Sequence, residues 1–127
     1  MEDSRIKVLA DHIRETCFAL HKYLRHGHLE KVYENGLVHR LRSEGLHVEQ
    51  QHAIRVRDED GTPLGDFMAD LFVEDSMLVE LKACKALSDE HTAQLLGYLR
   101  ATGVEHGMLV NFGAVRLQVR KFILSRE

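Results

Sequence analysis

The apolar residues of this chain change their spacing at Gly45, and that change constrains the fold more than any other feature. Upstream, Ile6, Leu9, Ile13, Cys17, Leu20 and Leu24 recur at the three-and-four interval of one helical face. Leu29, Val32, Tyr33, Leu37 and Leu41 repeat the interval after the Arg25-His26-Gly27-His28 break, and Gly45 stands where a helix would end. Downstream the period is two. Val48 to Arg57 and Leu64 to Val73 read as strands joined through an Asp60-Gly61 turn, and Glu74-Asp75-Ser76 turns the chain into a strand from Met77 to Ala83. Ser88 suits an N-cap, with Asp89 and Glu90 in the first turn of a helix that runs to about Thr102 and stops at Gly103. Gly107 to Phe112 reads as a buried strand, and Val115, Leu117 and Val119 alternate with Arg116, Gln118 and Arg120 in a last one. The expected order is ααβββαββ, a mixed α/β layered fold.

A chain of 127 residues is near the modal size of one domain, and no linker or repeat divides it, so residues 1–127 are expected to form a single unit. The composition, 44% hydrophobic and 29% charged, excludes a disordered or fibrous chain. A formal net charge of -3 excludes binding to nucleic acid by bulk charge, so any such contact must be local. Basic residues Arg40, Arg42, Arg55, Arg57, Arg116, Arg120 and Lys121 are scattered over predicted solvent faces. Cys17 and Cys84 form no CxxC pair, and neither a leader nor a long apolar run is present. A cytoplasmic protein without membrane contact is expected, fraying only in its first few and last two or three residues.

The strand from Met77 carries the chemistry. Residues two apart share a face, so Leu78, Glu80 and Lys82 point one way and Val79 and Leu81 the other. A three-residue loop at Glu74-Asp75-Ser76 pairs Val73 with Met77 and sets Asp70 opposite Glu80. Facing carboxylates need a cation between them, a shared proton or another register. A divalent metal satisfies them most simply, because hard cations take one or two carboxylates and complete their shell with water and phosphate oxygens. Lys82 on the same face is placed for a phosphate oxygen or a water. His91, Gln94 and Tyr98 share a face of the following helix, and Glu30, early in the second, could supply a third carboxylate.

Asp70, then Glu80-Leu81-Lys82, then Gln94-x-x-x-Tyr98, with a glutamate on a preceding helix, resembles the PD-(D/E)XK nuclease superfamily and its RecB-like branch. The segment GHLEKVY, Gly27 to Tyr33, is similar to the pattern that names the GxxExxY proteins, and the likeness extends through FMADLFVEDSMLVELKA, HTAQLLGYL and TGVEHGMLVNFG and back to His21. Ala69 stands where the superfamily name has proline. The resemblance implies a restriction-endonuclease-like mixed sheet flanked by helices and a magnesium or manganese site. Asp70 and Glu80 would ligate the metal with the Leu81 carbonyl, and Glu30 would support the metal or its water. Lys82 would be catalytic, Gln94 would orient the site, and Tyr98, His91 and His21 would touch substrate. The implied activity is phosphodiester hydrolysis, on DNA rather than RNA.

Other readings compete. Glu80 and Lys82 alone would suit a surface ion pair on an edge strand, and Glu30 a dipole contact. Gln94 and Tyr98 suit a polar boundary between helix and sheet. His26 and His28 suggest zinc but lack a second spaced ligand pair, so a polar turn is the better reading. At the level of function, the alternatives are a module on the same fold that binds nucleic acid or protein without cleaving, and an effector that acts only with a partner. Dimerisation is left open.

Overall fold

A computed structural model of the chain describes residues 4–124. The termini expected to fray lie outside the described residues. The elements are α1 (Ser4–Leu24), α2 (Glu30–Ser43), β1 (Val48–Arg57), β2 (Pro63–Val73), β3 (Met77–Lys82), α3 (Asp89–Thr102), β4 (His106–Asn111) and β5 (Gln118–Ile123). The order is the one the apolar spacing predicts. The last strand, however, starts at Gln118 rather than near Val115. Val115 is 78% exposed, so the apolar alternation that suggested an earlier start has no buried face there.

The strands lie in the order β1-β2-β3-β4-β5, which makes β3 the centre of the sheet. All neighbours are antiparallel except β3 and β4, whose parallel pairing requires the crossover that α3 provides. The amphipathic faces of α1 and α2 bury Ile13, Cys17, Leu37 and Leu41 against Val79, Leu81, Met108 and Val110. On the other face Leu95 and Leu99 of α3 pack on Leu78 and Leu109. Successive residues of β3 thus serve opposite layers, as period two demands. α3 begins in a capping box: Ser88 Oγ accepts the His91 N–H at 3.3 Å, and His91 Nδ1 accepts the Ser88 N–H at 3.1 Å.

β1 and β2 depart from simple alternation. Val48, Leu71 and Val73 belong to the α1–α2 layer, whereas Ile54 and Ala69, at even spacing from them, belong to the α3 layer. Both strands therefore exchange faces between the Gln50↔Leu71 and His52↔Ala69 pairs, where Gln51 and Asp70 lie. Gln51 has φ 58°, a left-handed conformation that is costly for a residue with a side chain. The exchange brings Asp70 to the junction of the two layers.

Candidate active site

The β2–β3 register Leu71↔Val79, Phe72↔Leu78, Val73↔Met77 continues to Asp70 beside Glu80, as the three-residue loop predicts. Asp70 Oδ2 accepts the Leu81 backbone N–H at 2.7 Å, which pins the aspartate to the strand that carries Glu80. Glu80 is 4% exposed, and its Oε1 has no hydrogen-bond partner among the described residues. Burial first, then the hydrogen bond and charge of Asp70, push the Glu80 carboxyl up to about 9, against a smaller opposing pull from Lys82. At neutral pH the pair therefore holds either a proton or a cation. An edge-strand ion pair is ruled out as the explanation, because β3 is central and the Lys82 ammonium donates to Gln94 Oε1 at 3.4 Å. Burial, then the charges of Glu80 and Asp70, hold the Tyr98 hydroxyl above its ordinary range, so Tyr98 faces the same site from α3.

Glu30 reaches this site from the start of α2. Gly27, at φ 113°, makes a turn that other residues would enter only with strain. The Tyr33 hydroxyl donates to the Arg25 carbonyl and accepts the His28 N–H at 3.2 Å, while its ring stacks on Phe112 at 4.7 Å between centroids. Glycine, glutamate and tyrosine at this spacing therefore form one device: the glycine makes the turn, the tyrosine ties it down, and the glutamate is presented. Partial burial and then the Asp70 charge raise the Glu30 carboxyl, and Lys82 lowers it, which places Glu30 within the field of both.

Several residues that sequence reading passed over support this geometry. Glu34 is buried and accepts from Lys31 Nζ at 2.9 Å, from Gln51 Nε2 at 3.0 Å and from Gln50. Burial alone would raise its carboxyl, but these donors hold it below its ordinary value. Asn111 is fully buried, and its Oδ1 accepts the Cys84 N–H at 3.0 Å and the Gly113 N–H at 2.9 Å, fixing the backbone just beyond Lys82. Gly113 packs so closely that a Cβ would lie 2.3 Å from Cys84 N. The two histidines have other partners: His91 completes the cap of α3, and the buried His21 ring places Nε2 3.0 Å from the Ala114 carbonyl beside Phe112.

The chemistry of Asp70 and Glu80, with a buried oxygen lacking a partner, fits a hard divalent cation. Among the described residues no three His, Cys, Asp or Glu side chains form a ready metal cluster. An ion held here would complete its shell with water, backbone carbonyl or phosphate oxygens. No described helix is long and apolar enough to cross a membrane.

A mixed sheet covered by two helices on one face and one on the other, with an acid pair and a lysine on its central strands, defines the restriction-endonuclease-like class. A profile described as the PD-(D/E)XK nuclease superfamily matches residues 7–122, and the chain belongs to that superfamily. Two solved structures share the fold. One, titled SSO0001, is 19% identical with a TM-score of 0.63, over 77% of this chain and 52% of that one. The other, an alkaline exonuclease from Laribacter hongkongensis, is 14% identical with a TM-score of 0.50, over 69% of this chain and 52% of that one. This chain thus spans about half the length of each. No curated protein sequence matches it.

Proposed function

We propose that the chain is a divalent-metal-dependent nuclease of the GxxExxY type within the RecB-like branch, forming one domain over residues 1–127 and hydrolysing phosphodiester bonds in DNA. The observation that supports this most is the buried Asp70–Glu80 pair with an unpartnered Glu80 oxygen in the centre of the sheet. Asp70 and Glu80 are the direct ligands in this reading, with the Leu81 carbonyl as a further oxygen and Glu30 supporting from α2. Bound there, magnesium or manganese would polarise the scissile phosphate and acidify a water. Lys82 meets the charge that develops on the phosphate oxygens, and Gln94 holds the ammonium in place through the 3.4 Å contact. Tyr98 contacts substrate at the rim. His21 and His91, engaged as described, position the Phe112–Ala114 segment and the start of α3. DNA is preferred to RNA on the likeness of the Asp70, Glu80-Leu81-Lys82 and Gln94-Tyr98 motifs to RecB-like nucleases. The free thiols of Cys17 and Cys84 fit a reducing, cytoplasmic setting.

The test is incubation of single- and double-stranded DNA and RNA with magnesium and with manganese, using Glu80→Ala purified identically as the control. Cleavage by the wild type alone is expected. Equal cleavage by both proteins exposes a contaminant, and cleavage by neither moves the reading to a binding module on the same fold.

A further inference from the structure

Next to the carboxylates lies a surface that packing does not explain. Phe67, on β2 shortly before Asp70, is 47% exposed although its ring centroid is 6.0 Å from that of Tyr98. Beyond Tyr98, α3 and the edge strand β1 border a cleft of about 430 Å³ lined by Arg55, Val56, Arg57, Gly97, Arg100 and Ala101. Gly97 is in the interior of α3, where glycine costs about 1 kcal/mol relative to alanine. A Cβ at that position would meet no atom within 4 Å, so neither crowding nor backbone strain calls for glycine. What the glycine provides is a bare helix surface facing the cleft, open to close approach by a ligand. Arg55 is neutralised by Asp66 at 2.8 Å and Arg57 donates to the Gly61 carbonyl at 3.3 Å, whereas Arg100 is exposed and forms no ion pair among the described residues.

We propose that this surface seats an unpaired DNA strand leading into the carboxylate site, with a base stacked on Phe67 and the backbone following α3 past Gly97 to Arg100. The inference rests on the nuclease reading and names the form of its substrate. A base can lie on an exposed ring once it has left its own stack, and such stacking tolerates any sequence. Gln94 to Arg100 spans about 9 Å at 1.5 Å per helical residue. That length accommodates two to three nucleotides at a rise of about 3.4 Å each. The weak overall charge suits a short, local contact of this kind, with one free arginine and one ring rather than a broad basic face.

Binding is measured by fluorescence anisotropy on the full chain carrying Glu80→Gln, in magnesium, with a labelled single strand and with a blunt duplex of the same sequence. The single strand is expected to bind about tenfold more tightly. Adding Phe67→Ala should weaken single-strand binding about tenfold and duplex binding less than twofold. Adding Gly97→Gln, which places a side chain in the cleft, should weaken single-strand binding similarly while the thermal midpoint holds or rises, a combination that a merely structural glycine would not give. Equal affinity for the two DNAs, or single-strand affinity unchanged by both substitutions, overturns the inference. If the wild type still cleaves DNA in that case, the nuclease reading stands without it; absence of both binding and cleavage overturns both. Should Phe67→Ala fail to fold, Gly97→Gln decides.

Discussion

Replacing Glu80 with glutamine isolates the cost of burying that carboxylate. With divalent ions chelated, folding moves the Glu80 carboxyl from its ordinary 4.5 up to about 9, because burial and Asp70 disfavour the charge. The folded protein therefore binds a proton that the unfolded chain gives up, so this contribution to stability is fully present below about pH 4.5 and is lost as pH rises toward 9. At about 1.4 kcal/mol per pH unit, bringing the apoprotein from the carboxyl range to pH 7 costs up to about 3 kcal/mol. Glutamine keeps the size of the protonated acid and offers an N–H toward Asp70, but never charges. In urea denaturation with EDTA, Glu80→Gln should match the wild type near pH 4.5 and exceed it increasingly toward pH 8. Added magnesium should stabilise the wild type and leave the variant unmoved, since binding to the native state alone adds stability. Parallel stability profiles for the two proteins across this range would refute the account of the buried pair.

Lys82→Ala should leave magnesium-induced stabilisation largely intact and remove DNA cleavage; a variant with full activity would deny the lysine its role. Gly113→Ala forces a methyl to 2.3 Å from the Cys84 nitrogen, so a loss of about 3 kcal/mol or more is expected in urea denaturation, and a loss below 1 kcal/mol would mean that the Ala83–Cys84 backbone yields easily. Tyr33→Phe removes a donor and an acceptor that tie the turn before Glu30 while the stack on Phe112 remains. A loss of about 1–2 kcal/mol should follow, and an unchanged denaturation midpoint would show that the turn holds without the hydroxyl.

The helices and the central strand were legible because their burial is local in origin: a stripe at three-and-four spacing or an alternation of two is decided by neighbours in sequence. Asp70 and Glu80 were legible as a pair because loop length alone fixed their register. The exchange of faces at Gln51 was not, since a left-handed glutamine leaves no trace in an alternation that looks regular on either side. Glu34 and Asn111 were missed for a different reason. On their own elements each is a polar residue at an apolar position, and each is explained only by partners that folding brings near: Gln50 and Gln51 for the first, Cys84 for the second. The start of the last strand was misplaced because Val115 and Leu117 alternate with polar residues as strand positions do, while residues 113–117 form a bend against the backbone beyond Lys82.

Parallel pairing of β3 with β4 also has a consequence during synthesis. The strand that bears Glu80 and Lys82 gains its second neighbour only when His106–Asn111 has been made, and the backbone beyond Lys82 gains its anchor only with Asn111 and Gly113. A nascent chain that stops short of those residues carries both acids and the lysine but leaves the β4-facing edge of β3 unpaired and the loop after Lys82 unheld. Assembly of the phosphate-cleaving geometry is thus the last event of folding, and prematurely terminated products are disarmed by topology.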